Sequence, residues 1–169
     1  GYLLGGTSFS DSTDDKSENK NGAQDFWIVK TDASGNIVWE NTIGGDAYDY
    51  LHIIHQTPDG GYIAGGYSDS GLSGDKSEAG QGFIDYWIVK LDATGNIEWD
   101  NTIGGSGSDN LFDISLTSDG GYIVAGSSTS GISGDKTEAA VGNDYWILKL
   151  DGSGNIEWQN TIGGSTEDI

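Results

Sequence analysis

Apolar and polar side chains alternate along this chain with a period of two, and Gly, Asp, Asn and Ser break the alternation about every eight to twelve residues. That period belongs to strands with one dry face and the breaks to turns, so short antiparallel strands are predicted and helix is nearly excluded. In the central part a first strand is predicted at 51–57, with 111–117 as its counterpart. The turns Pro58-Asp59-Gly60-Gly61 and Ser118-Asp119-Gly120-Gly121 follow, because Gly after Asp takes positive φ without a Cβ clash. Second strands are then predicted at 61–68 and 121–128. A polar stretch at 69–84, matched at 129–143, is too long for a tight turn and too polar for a core, and is expected as an exposed loop. The third strand, 86–91, ends at Asp92-Ala93-Thr94-Gly95-Asn96, whose Gly suits a type I turn closing on a left-handed residue. On the fourth strand, 97–103, Ile97, Trp99, Asn101 and Ile103 share one face and Glu98, Asp100 and Thr102 the other, so one face is expected dry and the other wet.

This pattern is written almost three times. Gly-Asn-Ile-x-Trp-x-Asn-Thr-Ile-Gly-Gly starts at Gly35, Gly95 and Gly154, a spacing of 60 and then 59 residues. Around it recur Thr-x-Asp-Gly-Gly-Tyr-Ile from Thr57 and Thr117, Gly-Asp-Lys-[Ser/Thr]-Glu from Gly74 and Gly134, and Asp-[Tyr/Phe]-Trp-Ile-[Val/Leu]-Lys from Asp25, Asp85 and Asp144. A fixed period with four short strands and aromatic and Gly markers predicts an all-β fold of β-propeller blades, each a four-stranded antiparallel meander. A β-solenoid repeats at roughly 20 to 30 residues and fits less well, and a sandwich of about sixty residues would be too small to bury its own core. The expected units are a partial blade at 1–48, blades at 49–105 and 106–164, and the start of a further blade at 165–169. Because propellers close with about four to eight blades, the expectation is an incomplete segment of a larger propeller. The remaining blades would come from further repeats of a longer chain, the favoured reading, or from copies of this one.

Charge narrows the partners. Against 27 Asp and Glu stand 7 basic residues, all Lys, for a net charge of −20. So anionic a surface repels nucleic acid and anionic lipid, and neither is an expected partner. No run of apolar residues is long enough for a membrane span, so no membrane insertion is expected. With no Cys there is no disulfide frame and no thiolate metal site. The opening at Gly1, without Met or an apolar leader, reads as an excerpt of a longer protein.

The chemistry on offer is thin. Asp15 and Glu18, Asp75 and Glu78, and Asp135 and Glu138 form a repeated acidic motif, the candidate calcium ligands, since calcium takes about six to eight oxygens and accepts Gly-rich acidic loops. Lys16, Lys76 and Lys136 sit inside each motif and oppose a dication, so the competing reading is a solvated loop whose carboxylates Lys neutralises. Asp32, Asp92 and Asp151 head turns that resemble the start of an EF-hand loop but lack its twelfth acidic residue and its helices, so a hairpin turn explains them. Six Trp, at 27, 39, 87, 99, 146 and 158, are read as packing between blades rather than sugar stacking, since they keep the same place in each repeat. His52 and His55 do not recur, their counterparts being Phe112 and Ser115, and on a regular strand they face opposite sides. No nucleophile, base and acid recur together, so no catalytic residue is proposed and no cofactor other than calcium is expected.

The run from Asp85 through Trp87, Lys90, Asp92, Gly95, Trp99 and Gly104-Gly105, with Asp119-Gly120-Gly121-Tyr122 after it, resembles the bacterial SBBP-type β-propeller repeats, in the variants carried by large secreted proteins of Bacteroidota. The resemblance covers essentially the whole chain. It implies secretion through the type IX machinery, a secreted or cell-surface location, and no shared catalytic residues. The expected function is therefore a non-enzymatic binding or adhesion module, or a scaffold, whose variable loops meet a surface glycan or protein ligand. A glycan-binding, lectin-like propeller and a structural filament or stalk are the alternatives.

Overall fold

The computed structural model describes residues 1–168, and among them there are eleven strands and no helix. In chain order these are β1 (Tyr2–Ser8), β2 (Asp25–Thr31), β3 (Ile37–Ile43), β4 (Asp49–Gln56), β5 (Tyr62–Ser68), β6 (Asp85–Leu91), β7 (Ile97–Ile103), β8 (Asp109–Leu116), β9 (Tyr122–Ser128), β10 (Asp144–Leu150) and β11 (Ile156–Ile162). They form one three-stranded sheet, β1-β2-β3, and two four-stranded sheets, β4-β5-β6-β7 and β8-β9-β10-β11, every pair antiparallel and every strand beside its neighbour in sequence. Each is a meander, and the strands lie within a few residues of their predicted places.

The turns close as their residues require. Gly60 and Gly120 take φ of 89° and 86°, and Gly61 N donates to the Asp59 carboxylate at 2.9 Å. In the second turn type, Ser34 N and Asn36 N donate to one oxygen of Asp32 while the Asn36 side chain donates to the other. Asp92 and Asp151 repeat this arrangement, so both oxygens are spent on the turn.

The core lies between sheets, not within one. Phe26 packs on Trp87 of the next sheet with ring centres 4.9 Å apart, and Tyr86 packs on Trp146 at 5.1 Å. Toward the outer strands Trp39 meets Tyr62 edge-on at 5.6 Å and Trp99 meets Tyr122 at 6.2 Å. Isoleucines, valines and leucines fill the two junctions, among them Ile28 with Val89 in the first and Ile88 with Leu148 in the second, all fully buried. A polar bond repeats at each junction: Asn41 donates to Gly95 O, and Asn101 to Gly154 O at 2.6 Å. Trp39, Trp87, Trp99 and Trp146 are thus inter-sheet packing, as their spacing predicted, whereas Trp27 lines an open hollow and Trp158 is half exposed.

The first strand of one sheet lies against the inner strands of the sheet before it, β4 against β1 and β2, and β8 against β4, β5 and β6. β4 meets β8 directly, while β7 and β11 make no comparable approach. The sheets therefore fan, with β4 and β8 on the inside. Both inner strands carry a β-bulge, at His52 and at Phe112. The fourth strand corrects a sequence expectation. Thr102 is buried rather than wet, because the 69–84 segment folds back over that face and buries Ser70 and Lys76.

Candidate functional site

The acidic motif sits where the long loop crosses the outer half of its own sheet. Lys76 is buried, lies 5.8 Å from the centre of the Trp87 ring, and donates to the Thr102 hydroxyl. Lys136 does the same over Trp146 at 4.5 Å, donating to Thr161 at 2.7 Å. Burial pulls the Lys76 ammonium below its ordinary value and Lys136 down to about 8. Most of the loop is exposed, as expected, but its Lys is not solvated: a long apolar stem can lie on an indole face while the charged end finds oxygen acceptors beneath the loop.

The carboxylates of the motif are bonded to backbone. Glu78 accepts from Thr102 N at 2.9 Å, Glu138 from Thr161 N at 2.7 Å and Glu18 from Thr42 N at 2.6 Å. Asp75 reaches the preceding sheet, where its side chain accepts from Gly44 N at 3.1 Å and from Asn21, and its own N donates to Gly44 O at 3.0 Å. Asp135 makes the same pair of bonds with Gly104 and accepts from Gln81. Asp15 makes no comparable bond among the described residues. Within a repeat the two acidic residues thus point to different partners. Across a junction they approach: Glu78 and Asp135 line one open polar cleft of about 610 Å³, and burial, with Glu78 and Asp109 nearby, pushes the Asp135 carboxyl up. Among the described residues no three His, Asp or Glu side chains gather as a metal-ligand group. At the next position outward Glu40, Asp100 and Gln159 take the indole N–H of Trp27, Trp87 and Trp146, so an acceptor is needed there and a charge is not.

A different site emerges on the inner edge, one that repeated motifs could not reveal. Tyr50 and Tyr67, paired across β4 and β5, lie with ring centres 5.0 Å apart. His52, turned by its bulge, packs on Tyr67 at 5.2 Å and edge-on against Phe112 of β8 at 5.8 Å. Tyr48, Tyr50, Tyr67, Asp69 and Ile84 line a pocket of about 190 Å³. Tyr48 and Phe112 are half exposed, and Asp69 Oδ1 accepts from Tyr48 N at 2.6 Å, leaving its other oxygen for a ligand or water. Burial raises the Tyr67 phenol above its ordinary value and lowers the His52 imidazole below its own. His55 lies elsewhere along β4 and takes no part. In the third sheet the positions of Tyr48, Tyr50, Tyr67 and Asp69 hold Ser108, Asn110, Ser127 and Thr129. The fold accepts small polar residues there, so the aromatic group in the second sheet is not required by packing. The signal for it in the sequence is divergence between repeats at strand and strand-end positions, not recurrence.

No protein-family model matches the chain, and no curated protein matches it.

Proposed function

We propose that the chain is a segment of a secreted or cell-surface β-propeller whose role is non-enzymatic binding, with the aromatic shelf of Tyr48, Tyr50, His52 and Tyr67 as the ligand contact. The observation that carries this reading is the departure of one sheet from its repeat, four positions changing together from small polar residues to three tyrosines and an aspartate on one pocket. Function on a repeat scaffold sits where repeats differ, while shared residues hold the scaffold. The fan of antiparallel meanders, with the first strand of each whole sheet set against the inner strands of the sheet before it, supports the propeller reading. Secretion and the type IX route rest on the resemblance to SBBP-type repeats.

The shelf also favours the glycan-binding form of this reading. The exposed Tyr48 ring and the half-buried Tyr50 and Tyr67 rings offer flat apolar faces to a sugar, while the phenols and the Asp69 carboxylate offer hydrogen bonds to its hydroxyls. A net charge of −20 disfavours sialylated or sulfated sugars by repulsion, so neutral saccharides are the class to test. An array of neutral glycans screened with the native chain and with the double variant Tyr50→Asn, Tyr67→Ser is the direct experiment. The variant copies residues the third sheet already carries, so it should keep the fold and lose the hits. An array with no hits, or hits that survive the double variant, would remove the glycan reading.

A further inference from the structure

The fold asks for less at position 69 than Asp69 supplies. Asp69 N donates to Tyr48 O at 3.1 Å, and one carboxylate oxygen accepts from Tyr48 N at 2.6 Å. This closed pair of bonds holds the residue at the rim of the aromatic pocket. In the third sheet Thr129 closes the same pair with Ser108, its N donating to Ser108 O and its hydroxyl accepting from Ser108 N, both at 2.9 Å. A neutral hydroxyl therefore does all that the strand ends need. The negative charge of Asp69 is surplus to folding, and it stands on the sheet that also carries Tyr48, Tyr50 and Tyr67. Asp69 is exposed, and among the described residues no Lys pairs with it and no donor reaches its second oxygen.

We infer that the sugar this shelf selects carries a protonated amine, as a deacetylated hexosamine does, its ring against the tyrosine faces and its ammonium on the free Asp69 oxygen. The inference rests on the reading of the shelf as a saccharide contact and names the class of sugar within it. The site favours a cation in more than one way. Phenol rings turn the negative face of their π-systems to a ligand, which attracts an ammonium as well as covering a C–H face. A carboxylate oxygen already fixed in place accepts a charge-assisted hydrogen bond from that ammonium. The net charge of −20 draws cations toward the whole surface. The pocket of about 190 Å³ is smaller than the roughly 300 Å³ at which sites for whole drug-sized ligands begin, so it holds one sugar unit. N-acetylation of the same nitrogen removes the charge and leaves one N–H, so the acetylated sugar keeps the ring contact and loses the ion pair.

Titration of the native chain with methyl glucosaminide and with methyl N-acetylglucosaminide tests this, followed by NMR through the ring signals of His52, which packs on Tyr67. At about pH 7 an aliphatic amine keeps its proton. The free amine should bind about fivefold more tightly than the acetylated sugar, the scale of one partly exposed ion pair, and added salt should narrow the gap. Asp69→Thr copies the third sheet, keeps the bonds to Tyr48, and should abolish the preference while the acetylated sugar still binds. Asp11→Asn makes the same change of net charge in the first long loop and should leave the preference intact. Equal affinity for the two sugars, or a preference that survives Asp69→Thr, would overturn the inference and leave the shelf standing as a neutral-sugar contact. Methylammonium binding as tightly as the glucosaminide would overturn the part given to the sugar ring. If neither sugar moves the His52 signals, the saccharide reading of the shelf falls and the inference with it.

Discussion

Position 14 shows how one residue carries the history of its repeat. Asp14 has φ of 50°, close to the 56° and 57° of Gly74 and Gly134, so a side chain occupies a conformation that glycine holds without strain. Among the described residues no glycine carbonyl of another sheet faces Asp14 as Gly44 O faces Gly74 and Gly104 O faces Gly134, so the backbone conformation is the cost that remains. Asp14→Gly should therefore stabilise the monomer by about 0.5–1 kcal/mol, read as a higher urea midpoint with an unchanged slope. The reverse change at Gly74, to Ala, should destabilise it by more, because Gly44 O lies 2.2 Å from the new Cβ and is backbone that cannot move aside alone. The same reasoning accounts for the paired glycines after each fourth strand. A Cβ on Gly104 would meet the buried Asp85 carboxylate at 1.8 Å, and Gly44 and Gly163 face Asp25 and Asp144 in the same way.

At the scale of the element, the long loop acts as a latch across its sheet and as a tie to the one before. Lys76→Ala should cost about 2–4 kcal/mol in thermal or urea unfolding, since it opens a cavity on Trp87 and strands the oxygen acceptors below. Asp135→Ala removes the bonds to Gly104 N and Gln81 and should cost about 1–3 kcal/mol, with Asn recovering part of that because Gly104 N needs only a neutral acceptor. Saturating EDTA should leave the melting temperature unchanged. A fall on chelation, restored by calcium, would return Asp75, Glu78 and their counterparts to the role of metal ligands. The strands, the hairpin turns and the packing role of Trp were legible in the sequence because each depends on residues close together in the chain and recurs with it. The burial of Lys76 was not, since it requires Trp87 from the next strand to be already in place beneath the loop. Nor was the shelf: Tyr50 and Tyr67 meet through sheet pairing, and His52 turns toward them through a bulge that no residue type announces.

Across the whole molecule, acidity should stabilise before it destroys. The Asp25, Asp49, Asp75, Asp85 and Asp135 carboxyls are raised above their ordinary 3.8, first of all by burial, so over the interval above 3.8 the folded chain holds protons that the unfolded chain has lost. Stability due to these groups therefore increases as pH falls from 7 through their folded values. Relief of the −20 net charge acts in the same direction. His52 opposes it, since burial lowers its value and protonation below 6.5 favours the unfolded chain, but it is one ring against five carboxyls. Lys136, down to about 8, is charged in both states throughout this interval and adds no slope. The turn carboxylates set the lower limit. Asp59, held at about 2 by the Thr57 hydroxyl and Lys90, and Asp92, Asp119 and Asp151, lowered chiefly by side-chain hydrogen bonds, stabilise the fold while ionised, and that contribution is lost below about pH 4. The melting temperature should thus climb on the order of 5 °C from pH 7 to a maximum near pH 4 to 5 and fall steeply below it. Thermal scans at constant ionic strength would show this, and a profile that declines steadily from pH 7 downward would mean that the buried aspartates ionise as easily in the fold as in the open chain.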